Sequence, residues 1–534
     1  MLFRSIRGTR GMAVAPHAAA AQSALAVLRE GGNALEAMIA AAATIAVVYP
    51  HMNSIGGDSF WLVHVPGKAP GSIDACGAAA QAATRQWYAG RGITAGIPFR
   101  GGVAANTVAG TISGWGAAYE LSRRTLRGRM PLSRLLDDAI HYAERGIVVT
   151  ASQATNTANK QAELTPQPGF SDTFLPGGAV PAAGSLFVQK RLGATLRRIA
   201  RFGTDEFYRG ELAQSMAKDL ARAGSPLAAA DLAAHRAQLR DPLALDHSAG
   251  TLFNMTPPTQ GLVSLLILGI LDELDLQKAG PATADYVHLC VEATKQAFRV
   301  RDRYITDPGR MTVDPRDLLG RDHIRRLAAG IDRRRAAPWG AGQGPADTVW
   351  MGVIDGRGRA VSFIQSIYHE FGAGIVLKES GVNWQNRGCS FSLDPQALNA
   401  LEPGRKPFHT LNPALAQLKD GRTMVYGTMG GDGQPQTQCA VFTRAILYGM
   451  DPQAAVSSPR WLLGRNWGQT SDTLKLESRF DTRVAQTLTQ WGHEVEILKA
   501  YDETVGHAGA IIRHPNGVLE GGADPRSDGG VAAF

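Results

Sequence analysis

Thr348 stands at a place in the chain where a hydroxyl could become a catalytic nucleophile. Before it, residues 336–347 read AAPWGAGQGPAD, a Gly/Pro/Ala stretch without periodicity that predicts an exposed loop. After it, TVWMGVI has the pattern of a strand. A threonine hydroxyl is a poor nucleophile, but a cut between Asp347 and Thr348 would supply an α-amine, with an ordinary pKa of about 7.7 to 8.0, as its base. The local sequence alone also fits a threonine that merely opens a strand.

The pair Gly430-Gly431 is a second feature with chemical potential. It lies between a predicted strand at 422–428, RTMVYGT, and a predicted helix at 434–449, QPQTQCAVFTRAILYG. Glycine permits unusual dihedral angles, and a helix N-terminus carries partial positive charge, so this loop could direct N–H groups at a developing oxyanion. A plain turn is the alternative interpretation.

The periodicity of the chain predicts a mixed helix and strand protein. The alanine-rich segments predict a helical hairpin, the second helix being capped by Asn33. The other predictions are a glycine turn leading into a strand, a mainly helical region and a β-hairpin that begins at Thr348. The helical hairpin covers residues 17–30 and 33–48, and the glycine turn with its strand covers 51–64. The mainly helical region covers about 132–330, and the β-hairpin covers 348–354 and 359–367.

Several strings in this order along the chain resemble the γ-glutamyltranspeptidase family. DTVWMGVID begins at Asp347, and it is followed by FIQSIYHEFGAGIV, KPFHTLNPAL, GTMGGDG and GGADPRSDGG. Upstream, LREGGNALEAMIAAA and MNSIGGDSFWLV match the N-terminal signatures of the family. The resemblance covers nearly the whole chain.

This resemblance implies an α/β (α+β) protein with the four-layer αββα sandwich of the N-terminal nucleophile hydrolases and additional helices in the N-terminal part. It also implies self-cleavage into a large chain, 1–347, and a small chain, 348–534, which stay together. Thr348 matches the family nucleophile, and Ser366 matches a hydroxyl residue that supports it. Gly430 and Gly431 match the glycines of the oxyanion hole.

The chain also departs from the family pattern where a γ-glutamyl group would be held. Cys76 stands where γ-glutamyl enzymes have an arginine for the α-carboxylate, and Cys389 stands where they have an acidic residue for the α-amine. Tyr368 replaces an asparagine. His409 replaces the first serine of a Ser-Ser pair, and Thr410 follows it as a further candidate for substrate binding. Glutathione-type transfer is therefore not expected.

With these replacements the chain resembles an amidase branch of the family that includes oxamate amidohydrolase, and more distantly the cephalosporin acylases. The implied substrate is a small amide with a carboxylate. Arg387 and His409 are the candidates to bind that carboxylate, although a solvated surface arginine and a structural histidine are the alternatives. His51 and His369 are candidates only for a supporting role around the residues that bind substrate.

Composition excludes several other classes of function. The net charge is +8, yet the arginines are dispersed, so no nucleic-acid partner is expected. The longest apolar run, AMIAAAATIAVV at 37–48, is too short to cross a bilayer, and no signal peptide is recognised. The four cysteines lack CxxC spacing, and no HxH or HExxH occurs, so neither a metal nor another cofactor is expected. A reducing, cytoplasmic location fits best.

Three functions remain open at this level. The acyl-enzyme formed on Thr348 is resolved either by water, in an amide hydrolase, or by an amine, in a transpeptidase. The third is an uncleaved, non-catalytic binding protein. The expected partners are a small amide substrate and the two chains of one precursor, and association of these heterodimers into a homo-oligomer is compatible with the sequence.

Overall fold

The predicted helical hairpin forms near the N-terminus of the computed structural model, which describes residues 4–340, 347–465 and 471–534. Its second helix begins after Asn33, whose side chain accepts hydrogen bonds from the N–H groups of Leu35 and Glu36. Glu36 in turn accepts from the N–H of Asn33, which completes a capping box. Every residue of this helix is buried, so its alanines allow close packing inside the molecule.

Helices and strands both occur throughout the described residues. In chain order, the α-helices are α1 Ala18–Arg29, α2 Ala34–Val48, α3 Arg85–Ala89, α4 Thr111–Leu126, α5 Leu132–Arg145, α6 Ala151–Leu164, α7 Phe170–Phe174, α8 Lys190–Phe202, α9 Glu206–Arg209, α10 Glu211–Arg222, α11 Ala229–Ala234, α12 Gly261–Glu273, α13 Ala284–Tyr304, α14 Arg321–Ala329, α15 Gly433–Phe442, α16 Pro452–Ser457 and α17 Thr482–Gln490. The strands are β1 Ile6–Gly8, β2 Gly11–Ala15, β3 Asp58–His64, β4 Gly71–Ala75, β5 Ile147–Val148, β6 Leu186–Phe187, β7 Gln238–Arg240, β8 Leu243–His247, β9 Gly250–Asn254, β10 Asp347–Asp355, β11 Ala360–Tyr368, β12 Ala414–Leu418, β13 Thr423–Thr428, β14 Trp461–Leu463, β15 Leu474–Glu477, β16 Val495–Leu498, β17 Ala508–Arg513, β18 Leu519–Ala523 and β19 Gly530–Ala533.

Two seven-stranded antiparallel sheets form the centre of the molecule. One has the order β19-β2-β10-β11-β3-β4-β7, and the other has the order β1-β18-β17-β13-β12-β9-β8. A core between them contains Phe60, Trp350, Ile364, Leu415 and Val425. Helices α1 and α2 cover the outer face of the first sheet, and α12, α15 and α16 cover the second. The expected four-layer αββα sandwich is thus confirmed.

Each sheet contains strands from both sides of the predicted cut. In the first sheet, β10 and β11 lie between β2 and β3, and in the second sheet, β12 and β13 lie between β9 and β17. A strand inside a sheet is hydrogen-bonded on both edges. A cut chain would therefore remain held by the sheets, although the division at residue 347 is itself still a prediction.

The structure adds two features to the sequence prediction. The region 132–330 is helical for the most part, but it also supplies β7, β8 and β9 to the sheets. The predicted helix at 434–449 ends as an α-helix at Phe442 and continues as a π-helix at Thr443–Leu447. No helix among the described residues is both long and apolar enough to cross a membrane.

Candidate active site

Four polar side chains lie side by side at one end of the first sheet. Thr348 belongs to β10, Ser366 to β11 and Asp58 to β3, while Cys76 follows β4 directly. Ser366 lies opposite Asp58 in the strand register. All four residues are buried. We call them the polar row.

The polar row faces the space between the two sheets. Side chains alternate along a strand, so Thr348 is on the same face of β10 as Trp350, which belongs to the core between the sheets. Ser366 likewise shares the face of Ile364, and Asp58 shares the face of Phe60. The row therefore lies at one end of the inter-sheet layer.

The strand pairing is irregular at Thr348. Asp347 lies opposite Tyr368 and Val349 lies opposite Gln365, so two residues of β11, Ser366 and Ile367, face the single residue Thr348. Such β-bulges redirect side chains and occur often beside active sites. Tyr368, which ends β11, has a φ of 83° and donates its N–H to Ser366 Oγ at 2.8 Å. The bond that we predict to be cut therefore lies opposite an irregular stretch of β11.

Gly57 allows β3 and β11 to approach each other closely at the polar row. A Cβ atom built on Gly57 would lie 2.0 Å from the carbonyl oxygen of Ser366. Only glycine lets the turn before β3 approach the end of β11 this closely. This close packing next to Asp58 explains the second glycine of the motif MNSIGGDSFWLV.

The loop Gly430-Gly431 leads from β13 into α15, as predicted. The two glycines have φ angles of 114° and 48°. The carbonyl oxygen of Gly430 accepts a hydrogen bond from the N–H of Gly433 at 2.7 Å, and that of Gly431 accepts from Gln260 Nε2 at 2.7 Å. Because the C=O and N–H of a trans peptide point in opposite directions, the N–H of Gly431 points away from Gly433.

This loop also approaches the threonine. Gln434, in the first turn of α15, has its Nε2 3.5 Å from Thr348 Oγ1. Within the described part of the chain, the N–H groups of Gly430 and Gly431 donate to no main-chain carbonyl. Donors held beside a nucleophile in this way can bind a developing oxyanion.

Asp58 is a residue of the site that the sequence analysis did not single out. Its Oδ1 accepts from the N–H groups of Gly77 at 3.0 Å and Gly110 at 3.1 Å and from Gln385 Nε2 at 3.2 Å. Burial raises the pKa of Asp58 to about 7, against the opposing effect of these donors. The sequence signal was a carboxylate opening an otherwise apolar strand directly after a Gly-Gly turn.

His409 is the partner of Asp58 across the inter-sheet space. Its Nε2 lies 3.1 Å from Asp58 Oδ2, and its ring meets Phe60 edge-on at 4.9 Å. Burial, and then the positive charges of Arg387 and Lys406, hold the pKa of His409 well below its ordinary value. A neutral His409 can therefore orient Asp58 but does not supply a positive charge.

Arg387 is fully buried, so the interpretation as a surface arginine was wrong. Its guanidinium lies 3.6 Å from the ring centroid of Tyr368, and Nη2 donates to Thr410 Oγ1 at 3.0 Å. Nε has no hydrogen-bond partner among the described residues. No described carboxylate forms an ion pair with Arg387. Burial lowers its pKa, and the nearby Tyr368 and Asp58 oppose this shift.

The two cysteines contribute no charge to the site. Burial raises the pKa of Cys76 well above its ordinary value, and it raises the pKa of Cys389 to about 12. Cys389 donates its thiol to the carbonyl of Asn386 at 2.8 Å. Cys76 lines a cavity of about 460 Å³ together with Arg240 and Lys406. Both remain neutral thiols near neutral pH.

The remaining histidine candidates occupy different surroundings. His369 lies against the rings of Tyr368 and Phe99, at 4.4 and 4.7 Å. His51 instead has its Nε2 3.2 Å from Ser152 Oγ, and its ring lies 4.4 Å from that of Tyr49. Burial lowers the pKa of His51 to about 3. His369 thus borders the site through Tyr368, whereas His51 belongs to another polar cluster.

One group of site residues has the donor types of a metal centre. Asp58, Cys76 and His409 bring a carboxylate oxygen, a sulfur and an imidazole nitrogen within 4.8 Å of one another. The positive charges of Arg387 and Lys406 act on the same group and oppose the binding of a cation. We therefore interpret the group as part of a substrate pocket.

Comparison with known proteins agrees with this arrangement. Residues 20–534 match the family model described as gamma-glutamyltranspeptidase. The chain is 59% identical to the oxamate amidohydrolase proenzyme of Klebsiella pneumoniae, over 98% of this chain and 99% of that protein. It is 40% identical to the glutathione hydrolase-like YwrD proenzyme of Bacillus subtilis, over 99% of this chain and 100% of that protein.

The solved structures give the same result. The crystal structure of cephalosporin acylase from Bacillus halodurans superposes with a TM-score of 0.90 at 33% sequence identity, over 100% of this chain and 97% of that chain. The family model and the two relatives cover almost every residue of the chain. This protein therefore belongs to the gamma-glutamyltranspeptidase family, and it is an enzyme that hydrolyses carbon–nitrogen bonds.

Proposed function

We propose that the chain is a precursor that cuts itself between Asp347 and Thr348 and then uses Thr348 as nucleophile and base. The proposal is supported by the bulge opposite Thr348 and by Gln434 beside its hydroxyl. The word proenzyme in the names of both relatives agrees with it. Each sheet combines strands from both parts of the chain, so a cut would leave the site assembled.

The substrate that the pocket favours is a small amide with a carboxylate, such as oxamate. The observation that carries this proposal is Arg387, a buried cation beside the polar row that has no described anionic partner within ion-pairing distance. A substrate carboxylate would supply that partner, which a buried charge requires. The relative with 59% identity is named for hydrolysis of oxamate.

The length of the polar row limits which of its residues a compact substrate could contact. Neighbouring strands lie about 4.8 Å apart, so Cys76 is roughly 14 Å from Thr348 along the sheet. A two-carbon amide held at Thr348 cannot reach that far. Its carboxylate would have to be bound nearer to Thr348. Tyr368 lies opposite Asp347 in the strand register, and its ring is in contact with the guanidinium of Arg387.

The reaction then runs as an acyl transfer to water. The neutral α-amine of Thr348 takes the proton of Oγ1, and the oxygen attacks the amide carbon. The oxyanion that forms faces the N–H groups of Gly430 and Gly431. The C–N bond breaks as the ammonium group of Thr348 returns the proton to the leaving nitrogen, which departs as ammonia. Water, deprotonated by the same amine, hydrolyses the ester and restores the threonine.

A second candidate is the hydrolysis or transfer of a larger acyl group, such as a γ-glutamyl or cephalosporin side chain. The cavity of about 460 Å³ that Cys76 lines is the observation in its favour, because it could hold the far end of such a substrate. Against it, neither Cys76 nor Cys389 is charged, so a γ-glutamyl group would lose charge-assisted hydrogen bonds worth roughly 1.5 to 3 kcal/mol each.

A paired assay on one cleaved preparation tests the substrate. Ammonia release from oxamate is measured beside anilide release from a γ-glutamyl anilide, with and without glycylglycine. We expect a higher kcat/KM for oxamate and little stimulation by glycylglycine. Efficient anilide release that glycylglycine stimulates, without ammonia from oxamate, would make the protein a γ-glutamyltransferase.

We also propose that the working unit is the heterodimer of both chains in the cytoplasm. The four cysteines are free thiols, which supports a reducing compartment. Fractionation of cells with an antibody against the small chain tests the location, and light scattering tests whether heterodimers associate further.

A further inference from the structure

The described residues that precede the predicted cut, 332–339, run between a helix of the large chain and a loop of the small chain. His288, on α13, donates its Nε2–H to the carbonyl of Asp332 at 2.8 Å. On the other side, the N–H of Ala336 donates to the carbonyl of Trp491, just after α17, at 2.7 Å. We call residues 332–339 the tail, because a cut after Asp347 would leave them near the end of the large chain.

A buried ion pair forms hydrogen bonds with the tail at Ala337. Glu292 and Lys295 lie one turn apart on α13, are 1% and 2% exposed, and have their Oε1 and Nζ atoms 2.6 Å apart. Glu292 Oε2 accepts from the N–H of Ala337 at 3.1 Å, and Lys295 Nζ donates to the carbonyl of Ala337 at 2.7 Å. The pair thus satisfies both main-chain groups of one tail residue.

The burial of two charges costs desolvation free energy. Apolar residues of similar volume often stabilise a fold as well as a buried ion pair does or better, so the pair alone is weak evidence for stability. What apolar residues cannot do is satisfy a donor and an acceptor of the main chain, here those of the half-buried Ala337. The geometry at Ala337 gives the pair that specific task.

The tail also has packing contacts on both of its sides. Trp339 lies 5.7 Å from the ring of Phe298 on α13. Two glycines of the small chain border it, since a Cβ atom on Gly464 would lie in contact distance, 3.8 Å, of Trp339 and one on Gly492 would lie 3.8 Å from Ala336. The tail therefore fills a groove whose two walls come from different chains after cleavage.

A metal site is the other interpretation of this region. His288, Glu292 and His493 place ligand-type atoms within 4.8 Å of one another. However, His288 Nδ1 and His493 Nε2 already share a hydrogen bond of 2.8 Å, and both oxygens of Glu292 are engaged by Lys295 and Ala337. The hydrogen bonds of the tail account for the group without a cation.

We propose that Glu292 and Lys295 form a docking site for the tail, and that this site stays occupied after cleavage, so that the tail joins the large chain to the small chain. The first half concerns the precursor and does not depend on catalysis. The second half rests on the proposed cut at Thr348.

Trypsin provides the test, because the tail contains Arg333, Arg334 and Arg335, all of which are exposed. A protease needs a locally unfolded segment, so the rate of cutting at these arginines reports how often the tail leaves its groove. The uncleaved Thr348→Ala precursor and the cleaved wild-type enzyme are digested, and the fragments are weighed by mass spectrometry. Slow cutting of both is expected.

Lys295→Met is the decisive variant. It leaves the Glu292 carboxylate buried without its cation and removes the bond to the Ala337 carbonyl, so cutting in the tail should become at least about tenfold faster. The double variant Glu292→Gln, Lys295→Met leaves no buried charge without a partner. It keeps the experiment decisive if the single variant fails to fold. Lys278→Met is the matched control, since Lys278 pairs with Asp275 on the surface.

Each outcome decides one half of the proposal. Equal tail protection in the wild-type and Lys295-substituted precursors would overturn the docking site. Protection of the Thr348→Ala precursor but rapid cutting in the cleaved wild-type enzyme would show that the tail is released, and it would overturn the second half alone. If the wild-type chain is never cut at Thr348, the proposed function fails while the precursor result still stands.

Discussion

Burial acts on the groups around Thr348 in ways that their residue types alone do not reveal. Burial raises the pKa of Asp58 and Cys76, which favours the protonated carboxyl and the neutral thiol. Burial lowers the pKa of His409 and Arg387. Arg387 is the cation among these that can offer a guanidinium to a substrate. We therefore propose that recognition of a carboxylate at this site depends on Arg387.

Replacing Arg387 by Met should lower kcat/KM for oxamate about 10- to 100-fold, because a charge-assisted hydrogen bond contributes about 1.5 to 3 kcal/mol. Oxamide, the same molecule with an uncharged amide in place of the carboxylate, should be affected little. The measurement is ammonia release from both substrates. Arg422→Met, which removes a surface arginine paired with Asp420, is the control. Equal losses for oxamate and oxamide would contradict a role in carboxylate binding.

Asp58 should make the stability of the fold depend on pH. Its pKa is raised from 3.8 to about 7, so between these values the folded chain keeps a proton that the unfolded chain has released. Stability contributed by this group is complete below about pH 4 and is lost as the pH rises through about 7. Because each tenfold change in proton affinity corresponds to about 1.4 kcal/mol, the loss amounts to about 4 kcal/mol.

The comparison of Asp58→Asn with the unsubstituted chain isolates this effect. Both are made as Thr348→Ala precursors, so that cleavage does not change the species that unfolds, and urea midpoints are measured from pH 5 to pH 8. The Asp58→Asn precursor should lose less stability over this range. The same pH slope in both proteins would show that Asp58 is ionised throughout.

At the scale of elements, the site is made where two glycine loops meet the ends of strands. Gly57 brings the start of β3 against β11, and Gly430-Gly431 carries the chain from β13 into α15 beside Thr348. The carbonyls of Gly430 and Gly431 are both fixed by hydrogen bonds. These bonds fix the direction of the N–H of Gly431, which lies between the two carbonyls.

Gly431→Val tests the loop as an oxyanion hole. The glycine has a φ of 48°, and a β-branched residue there is strained, so the peptide plane should turn and withdraw its donor. Turnover of the correctly cleaved variant should fall by about two to three orders of magnitude. The rate is measured per cleaved chain, since cleavage itself can slow. An unchanged rate would place the oxyanion hole elsewhere.

The sequence predicted those elements whose pattern is local. The hairpin of β10 and β11, the loop Gly430-Gly431 and the capped helix α2 all follow from periodicity and turn residues, and the structure has them near the predicted bounds. The short strands β7 to β9 were missed within a helical region, because three to five residues carry little periodic signal.

The presence of Asp58 in the site and the burial of Arg387 could not be predicted in this way. Their positions depend on which strands are neighbours and on the loop that folds back over Tyr368, and both are properties of the tertiary fold. An arginine within NRGCSF has no local sign that it is buried. The substitutions Cys76 and Cys389 pointed to a pocket without the usual charges, and Arg387 was a candidate for carboxylate binding, but its burial was evident only from the packing.

For the molecule as a whole, the interleaving of strands makes cleavage compatible with a stable fold. Both sheets combine strands from before and after residue 347, and the core between the sheets draws on both parts. Separation of the chains would expose this core and leave the edges of inner strands unpaired. The two chains should therefore elute together and part only in denaturant.

The central claim is that Thr348 becomes the first residue of a second chain and then acts as the nucleophile. Intact-mass analysis and N-terminal sequencing of the purified protein under denaturing conditions test it most directly. We expect two chains, the smaller beginning with Thr348, and a single inactive chain of 56.8 kDa for Thr348→Ala. A smaller chain that begins at any other residue, or an active enzyme that remains one chain, would contradict it.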